Sequence, residues 1–167
     1  IMMDDFSSYT VVYPTGCVRV CDSSTVLQAL QQGWINFLGP PDRIQFDPLK
    51  AHLSDAMQNF TREHDILARP IPAEAHHQQG KIEKRVDFWK SMFARVCEFC
   101  QLTRSDDPWV WTNKITASLN TSIRKSGFSP NQLMFGRDPR VPTSLVNSPD
   151  AVAAHSAAFE QPHVQRA

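Results

Sequence analysis

Ile82, Val86, Trp89, Phe93, Val96 and Cys100 recur at alternating steps of four and three. That spacing keeps them on one face of an α-helix. The pattern predicts a helix from near Gln79 to Cys100, about 33 Å long at roughly 1.5 Å per residue. An apolar stripe of this length is stable only when it is buried against a sheet or another helix, so the rest of the chain must supply that partner.

The partner elements are legible along the chain. Ile1–Asp5 and Tyr9–Tyr13 read as two extended runs joined by Ser7 and Ser8, an antiparallel hairpin. Asp22, Ser23 and Ser24 offer caps for a helix with Leu27, Leu30, Trp34 and Leu38 on one face, stopped at Gly39-Pro40-Pro41. A buried strand is expected over 43–47, and then a helix capped by Ser54 with Leu53, Met57 and Phe60 on one side. Ile66–Ile71 reads as a strand placed at an edge by Pro70 and Pro72. Asp107-Pro108 opens a helix with Trp111, Ile115, Leu119 and Ile123, ended by Gly127. Ser129-Pro130 starts a last short helix closed by Gly136. Hairpin, helix, strand, helix, strand, then helices is the order of a mixed α/β layered domain.

With 167 residues, 41% of them apolar and 20% charged, the chain has enough material for one domain with a core. Seventeen basic and seventeen acidic side chains cancel. Overall charge therefore gives no argument for a polyanionic partner, and any such surface must arise by local clustering. No apolar run reaches the roughly 20 residues that span a bilayer, and no signal peptide is evident. Cys17, Cys21, Cys97 and Cys100 read as reduced thiols of an intracellular chain. His76, His77, Cys97 and Cys100 have the composition of a zinc quartet, but a continuous helix sets the two pairs about 30 Å apart, so they cannot share one ion. Trp109 and Trp111 are expected to pack with Ile115 as core.

Two carboxylates stand out on this framework. Asp47 closes the run Arg43-Ile44-Gln45-Phe46-Asp47, on the face opposite Ile44 and Phe46. Glu83 lies near the start of the long helix, and thirty-five residues separate the two. A strand-end Asp and a helix-start Glu that converge suit hard divalent cations of the kind used in phosphoryl transfer. Taken singly, each also fits a bland role, Asp47 as a turn residue and Glu83 as an exposed acid near the positive end of the helix dipole. Glu83, Asp87 and Lys90 share one exposed strip, and Lys81, Lys84 and Arg85 cluster beside them.

The words around this pair resemble the retroviral-type integrase catalytic core of retroviruses and long-terminal-repeat retrotransposons. They are Met3-Asp4-Asp5-Phe6-Ser7-Ser8-Tyr9, Gly39-Pro40-Pro41 leading to Asp47, and Ala75-His76-His77-Gln78-Gln79-Gly80-Lys81-Ile82-Glu83. Leu119-Asn120 and the run from Gly127 to Pro142 resemble the segment that follows such cores in retrotransposon polyproteins. The resemblance implies a ribonuclease H-like fold, a mixed sheet flanked by helices. It divides the chain into a partial catalytic core over 1–104, C-terminal helices over 105–146 and a partial helical extension over 147–167.

It also implies the chemistry. Asp47 and Glu83 would be catalytic and would hold Mg²⁺ or Mn²⁺, two ions in the complete site. Gln79, Lys81, Lys84, Arg85 and Lys90 would contact DNA. Metal-activated water would trim the element's 3′ ends, and the freed hydroxyl would attack target DNA, with a homo-oligomer as the working form, nuclear during integration, otherwise cytoplasmic and not secreted. The resembled family uses a third carboxylate, on a strand upstream of the Met3–Ser7 word, so the chain is expected to be N-terminally truncated and inactive alone. Asp4, or else Asp5, is a substitute candidate; alternation sends the two to opposite faces, so at most one of them can serve. The Gly that normally follows the middle Asp is replaced by Pro48-Leu49. Two other readings accompany this one: a decayed or co-opted domain that binds DNA or self-associates without catalysis, and a metal-dependent nuclease of the same fold.

Overall fold

The computed structural model describes residues 1–16, 21–46, 54–70 and 76–140, with side chains from residue 80 onward in the last segment. β1 (Met2–Met3) pairs antiparallel with β2 (Thr10–Val11), Met3 opposite Thr10. The hairpin is tied by Asp4, whose Oδ2 accepts from the Ser7 amide at 2.6 Å and the Ser7 hydroxyl at 2.7 Å. Ser8 takes the left-handed conformation that closes the turn, with φ of 59°.

Helix α1 (Ser23–Leu30) starts where the Asp22 carboxylate accepts from the Thr25 amide. It runs into a π-helical stretch, Gln31–Ile35, and ends in α2 (Asn36–Leu38). Leu30, Trp34 and Leu38 follow one another at steps of four, which drift around an ideal α-helix; the wider π turn takes up the extra residue. Gly39, at φ of 80°, stops the helix. β3 (Arg43–Phe46) lies parallel to β4 (Leu67–Pro70), with Ile44 opposite Ala68. Between them, α3 (Asp55–Glu63) is capped by Ser54 and buries Met57. α3 packs on both α1 and β4.

α4 (His76–Phe99) is the long helix, α5 (Pro108–Thr121) packs against it and against β2, and α6 (Pro130–Phe135) packs on α5. Trp89 of α4 donates its indole N–H to Thr116 at 3.1 Å and stacks on Phe93. Ile115 and Leu119 are the buried face of α5. Ser129 forms a capping box with Gln132, and Asp138 folds back to accept from both side chains at 2.7 Å. Gly136 ends α6 in the left-handed conformation. Much of the run from Gly127 to Pro142 that resembles the family is therefore capping chemistry.

Several expectations are corrected. Among the described residues the strands form two separate two-stranded sheets, not one mixed sheet. Each hairpin strand is two residues long. β3 alternates exposed and half-buried residues instead of being buried, although Ile44 and Phe46 do share the inner face. α4 begins at His76, upstream of the Gln79 start that the stripe suggests, and Cys100 falls just beyond its end and is exposed. α5 stops at Thr121, because Ser122 takes an extended conformation, so Ile123 leaves the stripe and is 70% exposed. Trp109 is 40% exposed and meets Tyr13 edge-on at 4.7 Å. Trp111 is half-buried beneath the Lys114 ammonium, 4.5 Å from its ring centre, in a cation–π contact. Aromatic size alone does not place these indoles in the core. The extension over 147–167 lies outside the described residues.

The hairpin and the π-helical stretch that follows α1 meet at Gly33. A Cβ there would sit 2.8 Å from the Met2 methyl and 3.3 Å from the Tyr13 ring. The methionine end can swing away, but Tyr13 is held by Trp109 and by its hydroxyl bond to Gln32. We expect Gly33→Val to lower stability by about 1–3 kcal/mol through overpacking. A thermal melt equal to that of the parent protein would show that the hairpin yields freely.

Candidate functional site

Glu83 stands on the outer face of α4 and is exposed, as are Asp87 and Lys90 on the same strip. It makes no hydrogen bond or ion pair to any described residue. An exposed carboxylate with free oxygens fits a hard divalent cation, which takes oxygen donors and keeps several waters. β3 ends at Phe46. Asp47 follows directly and lies outside the described residues, as do Pro48, Leu49 and the side chain of Gln79. Among the described residues no three metal-ligating side chains gather at one point.

The basic residues beside Glu83 separate into two sets. Arg85, expected on the DNA surface, is 6% exposed and turned inward. Its Nε donates to the Thr10 hydroxyl at 2.8 Å and its Nη2 to the Ser8 carbonyl at 2.7 Å. The correction has a physical cause: the hairpin turn offers neutral acceptors that satisfy a buried guanidinium. Lys81 also reaches the hairpin. Its ammonium pairs with the Asp5 carboxylate at 3.0 Å and donates to the Asp5 carbonyl. Lys84 and Lys90 remain exposed on α4. Asp4, the substitute metal ligand, uses its Oδ2 to accept from the two Ser7 donors in the hairpin turn.

Sequence reasoning missed Asn120 and Arg124. Asn120 is buried, accepts from the Thr10 amide at 3.0 Å and donates to the Thr10 carbonyl at 2.8 Å. It continues the hydrogen bonding of β2 from a helix and so fixes α5 to the hairpin. Its only signal was its place in the Leu119-Asn120 word. Burial pushes the Tyr9 phenol above its ordinary pKa; its ring packs edge-on to Trp34 and Phe135. No described helix is long and apolar enough to cross a membrane.

The arrangement of the hairpin, the parallel strand pair and the helices is that of a retroviral integrase catalytic core. Among solved structures, the HTLV-2 integrase catalytic core domain in complex with magnesium is similar in its trimeric form, at 24% identity and a TM-score of 0.62 over 79% of this chain and 80% of that one. Its dimeric form gives 22% identity and a TM-score of 0.64 over 80% of each chain. The simian T-cell lymphotropic virus intasome, in complex with a PP2A regulatory subunit, gives 17% identity and a TM-score of 0.68 over 84% of this chain and 48% of that one. No family model matches the chain, and no curated protein does. The fold is thus that of an integrase core.

Proposed function

We propose that the chain is the core of a DNA integrase from a long-terminal-repeat retrotransposon, built on the ribonuclease H-like plan and completed by an additional strand bearing an Asp. The observation that carries this reading is Glu83, an exposed acid without a partner among the described residues, on the long helix of an integrase-core fold. The magnesium bound to the HTLV-2 domains supports a divalent cation here, and their dimeric and trimeric forms support self-association.

Within this reading Glu83 and Asp47 hold the cation, which when bound stabilises charge on the attacking and leaving oxygens of a phosphodiester. Lys90, about two turns along the Glu83 strip, contacts a phosphate of the DNA held there. Gln79, at the start of α4, approaches the element end. Arg85 and Lys81 act indirectly: they tie α4 to the hairpin and so fix the direction of the Glu83 strip.

The test compares residues 1–167 with a version extended by an Asp-bearing strand, using oligonucleotides that carry the element ends. Mg²⁺- or Mn²⁺-dependent end trimming and joining are expected from the extended protein and not from residues 1–167. Inactivity of a folded, DNA-binding extended protein would favour the co-opted, non-catalytic reading. Efficient joining by residues 1–167 would remove the need for a further acid.

A further inference from the structure

Arg124 and the α4 cations that sequence reasoning assigned to the Glu83 site form a groove of their own. Residues 81, 84, 85 and 88 fall on one flank of α4, whereas Glu83, Asp87 and Lys90 fall on the other, about 150° around at roughly 100° per residue. On the first flank lies an open groove of about 360 Å³, lined by Lys81, Lys84, Arg85 and Phe88 of α4 and by Arg124. Met3 and Ser8 close it on the hairpin side.

Its charge balance is one-sided. Lys81 is paired with Asp5. Arg85 is satisfied by neutral oxygens, so its charge is uncompensated. Lys84 makes no ion pair with a described residue. Arg124 is the informative member: its Nε and Nη2 are shielded from solvent and have no hydrogen-bond partner among the described residues. Burial without such compensation holds its guanidinium below the ordinary pKa. Those two nitrogens are the fork that grips a phosphate or carboxylate through two parallel hydrogen bonds. The backbone of Arg124 is fixed by the Phe128 carbonyl at 3.0 Å and the Gly127 amide at 2.9 Å, so the turn does not depend on the side chain. An unpaired buried fork costs stability; a bound anion removes that cost.

Phe88, one turn from Lys84, is 53% exposed in the same groove. Cations beside an exposed aromatic form the combination that takes the backbone and a base of a single nucleic-acid strand. We propose that this groove is a second nucleic-acid site, in which Lys84 and a re-oriented Arg124 hold one phosphodiester and Phe88 receives a base. The choice of a polynucleotide as occupant rests on the integrase reading, whereas the anion site rests on the groove alone.

The test uses the whole chain and a labelled oligothymidylate, with affinity measured against salt. Each phosphate contact on a single strand contributes roughly 0.7 to the salt slope, so Lys84→Gln and Arg124→Gln should each weaken binding about fourfold at 0.15 M salt. Lys125→Gln outside the groove should bind as the parent does. Inorganic phosphate should compete, and Arg124→Lys, which keeps the charge and loses the fork, should restore the salt slope and only part of the affinity. Melting temperatures of the Arg124 variants should be unchanged or higher, which a structural role for the side chain would not produce. Parental affinity and slope in both groove variants, or a loss no larger than that of Lys125→Gln, overturns the site. Equal binding of polyglutamate overturns its assignment to nucleic acid. Neither result touches the joining assay, so failure of the groove and failure of the integrase reading are separable.

Discussion

Glu83→Gln, placed in the strand-completed protein, is expected to lower end trimming and joining about a thousandfold while DNA affinity stays within about twofold. The substitution keeps the shape of the side chain and removes its charge. A neutral amide is a poor donor to a hard divalent ion, and losing several kcal/mol of transition-state charge stabilisation corresponds to about three powers of ten in rate. Folding should hardly notice, because Glu83 is exposed and bonded to no described residue; surface changes of this kind usually stay within about 0.5 kcal/mol. Single-turnover rates on labelled element ends, set beside anisotropy titrations of the same DNA, separate chemistry from binding. A variant that joins ends within tenfold of the parent takes Glu83 out of the reaction.

The parts of this fold that were legible in the sequence are those set by neighbours in the chain. Asp22, Ser54, Asp107 and Ser129 each cap the helix they precede, because a cap is a bond between a side chain and an amide two or three residues on. The long stripe gave α4 for the same reason, and its continuity keeps His76 and Cys97 at opposite ends of one helix. What the sequence hid depends on distant partners. Arg85 counts as a surface cation in any linear pattern; it is buried because Ser8 and Thr10, more than seventy positions away, offer acceptors. The inward turn of Arg85 also divides the basic cluster, which linear spacing had read as one DNA surface around Glu83. Trp109 is left at the surface because the hairpin's Tyr13 meets it there, edge to face. The expected convergence of Asp47 on Glu83 would be of this long-range kind, and Asp47 lies outside the described residues.

The second large effect is expected at Asn120. Its amide satisfies both the N–H and the carbonyl of Thr10, and all of these groups are buried. Asn120→Ala strands two backbone groups away from water, at about 1–3 kcal/mol each, so a loss of about 3 kcal/mol is expected in denaturant unfolding. Asn120→Asp tests the direction of the bonds. An ionised carboxylate can still accept from the Thr10 amide but faces the Thr10 carbonyl oxygen with no proton to donate, whereas the protonated acid makes both bonds. Burial and that facing oxygen raise the folded-state pKa of the new acid above the ordinary value of about 3.9. A group whose pKa is raised on folding contributes stability that is full below its unfolded pKa and is lost as pH climbs through the folded one. Asn120→Asp should therefore sit closest to the parent below about pH 4 and fall away from it toward neutrality. A constant offset between variant and parent across that range would mean that the side chain at 120 does not bridge the two Thr10 groups, and α5 would need another tie to the hairpin.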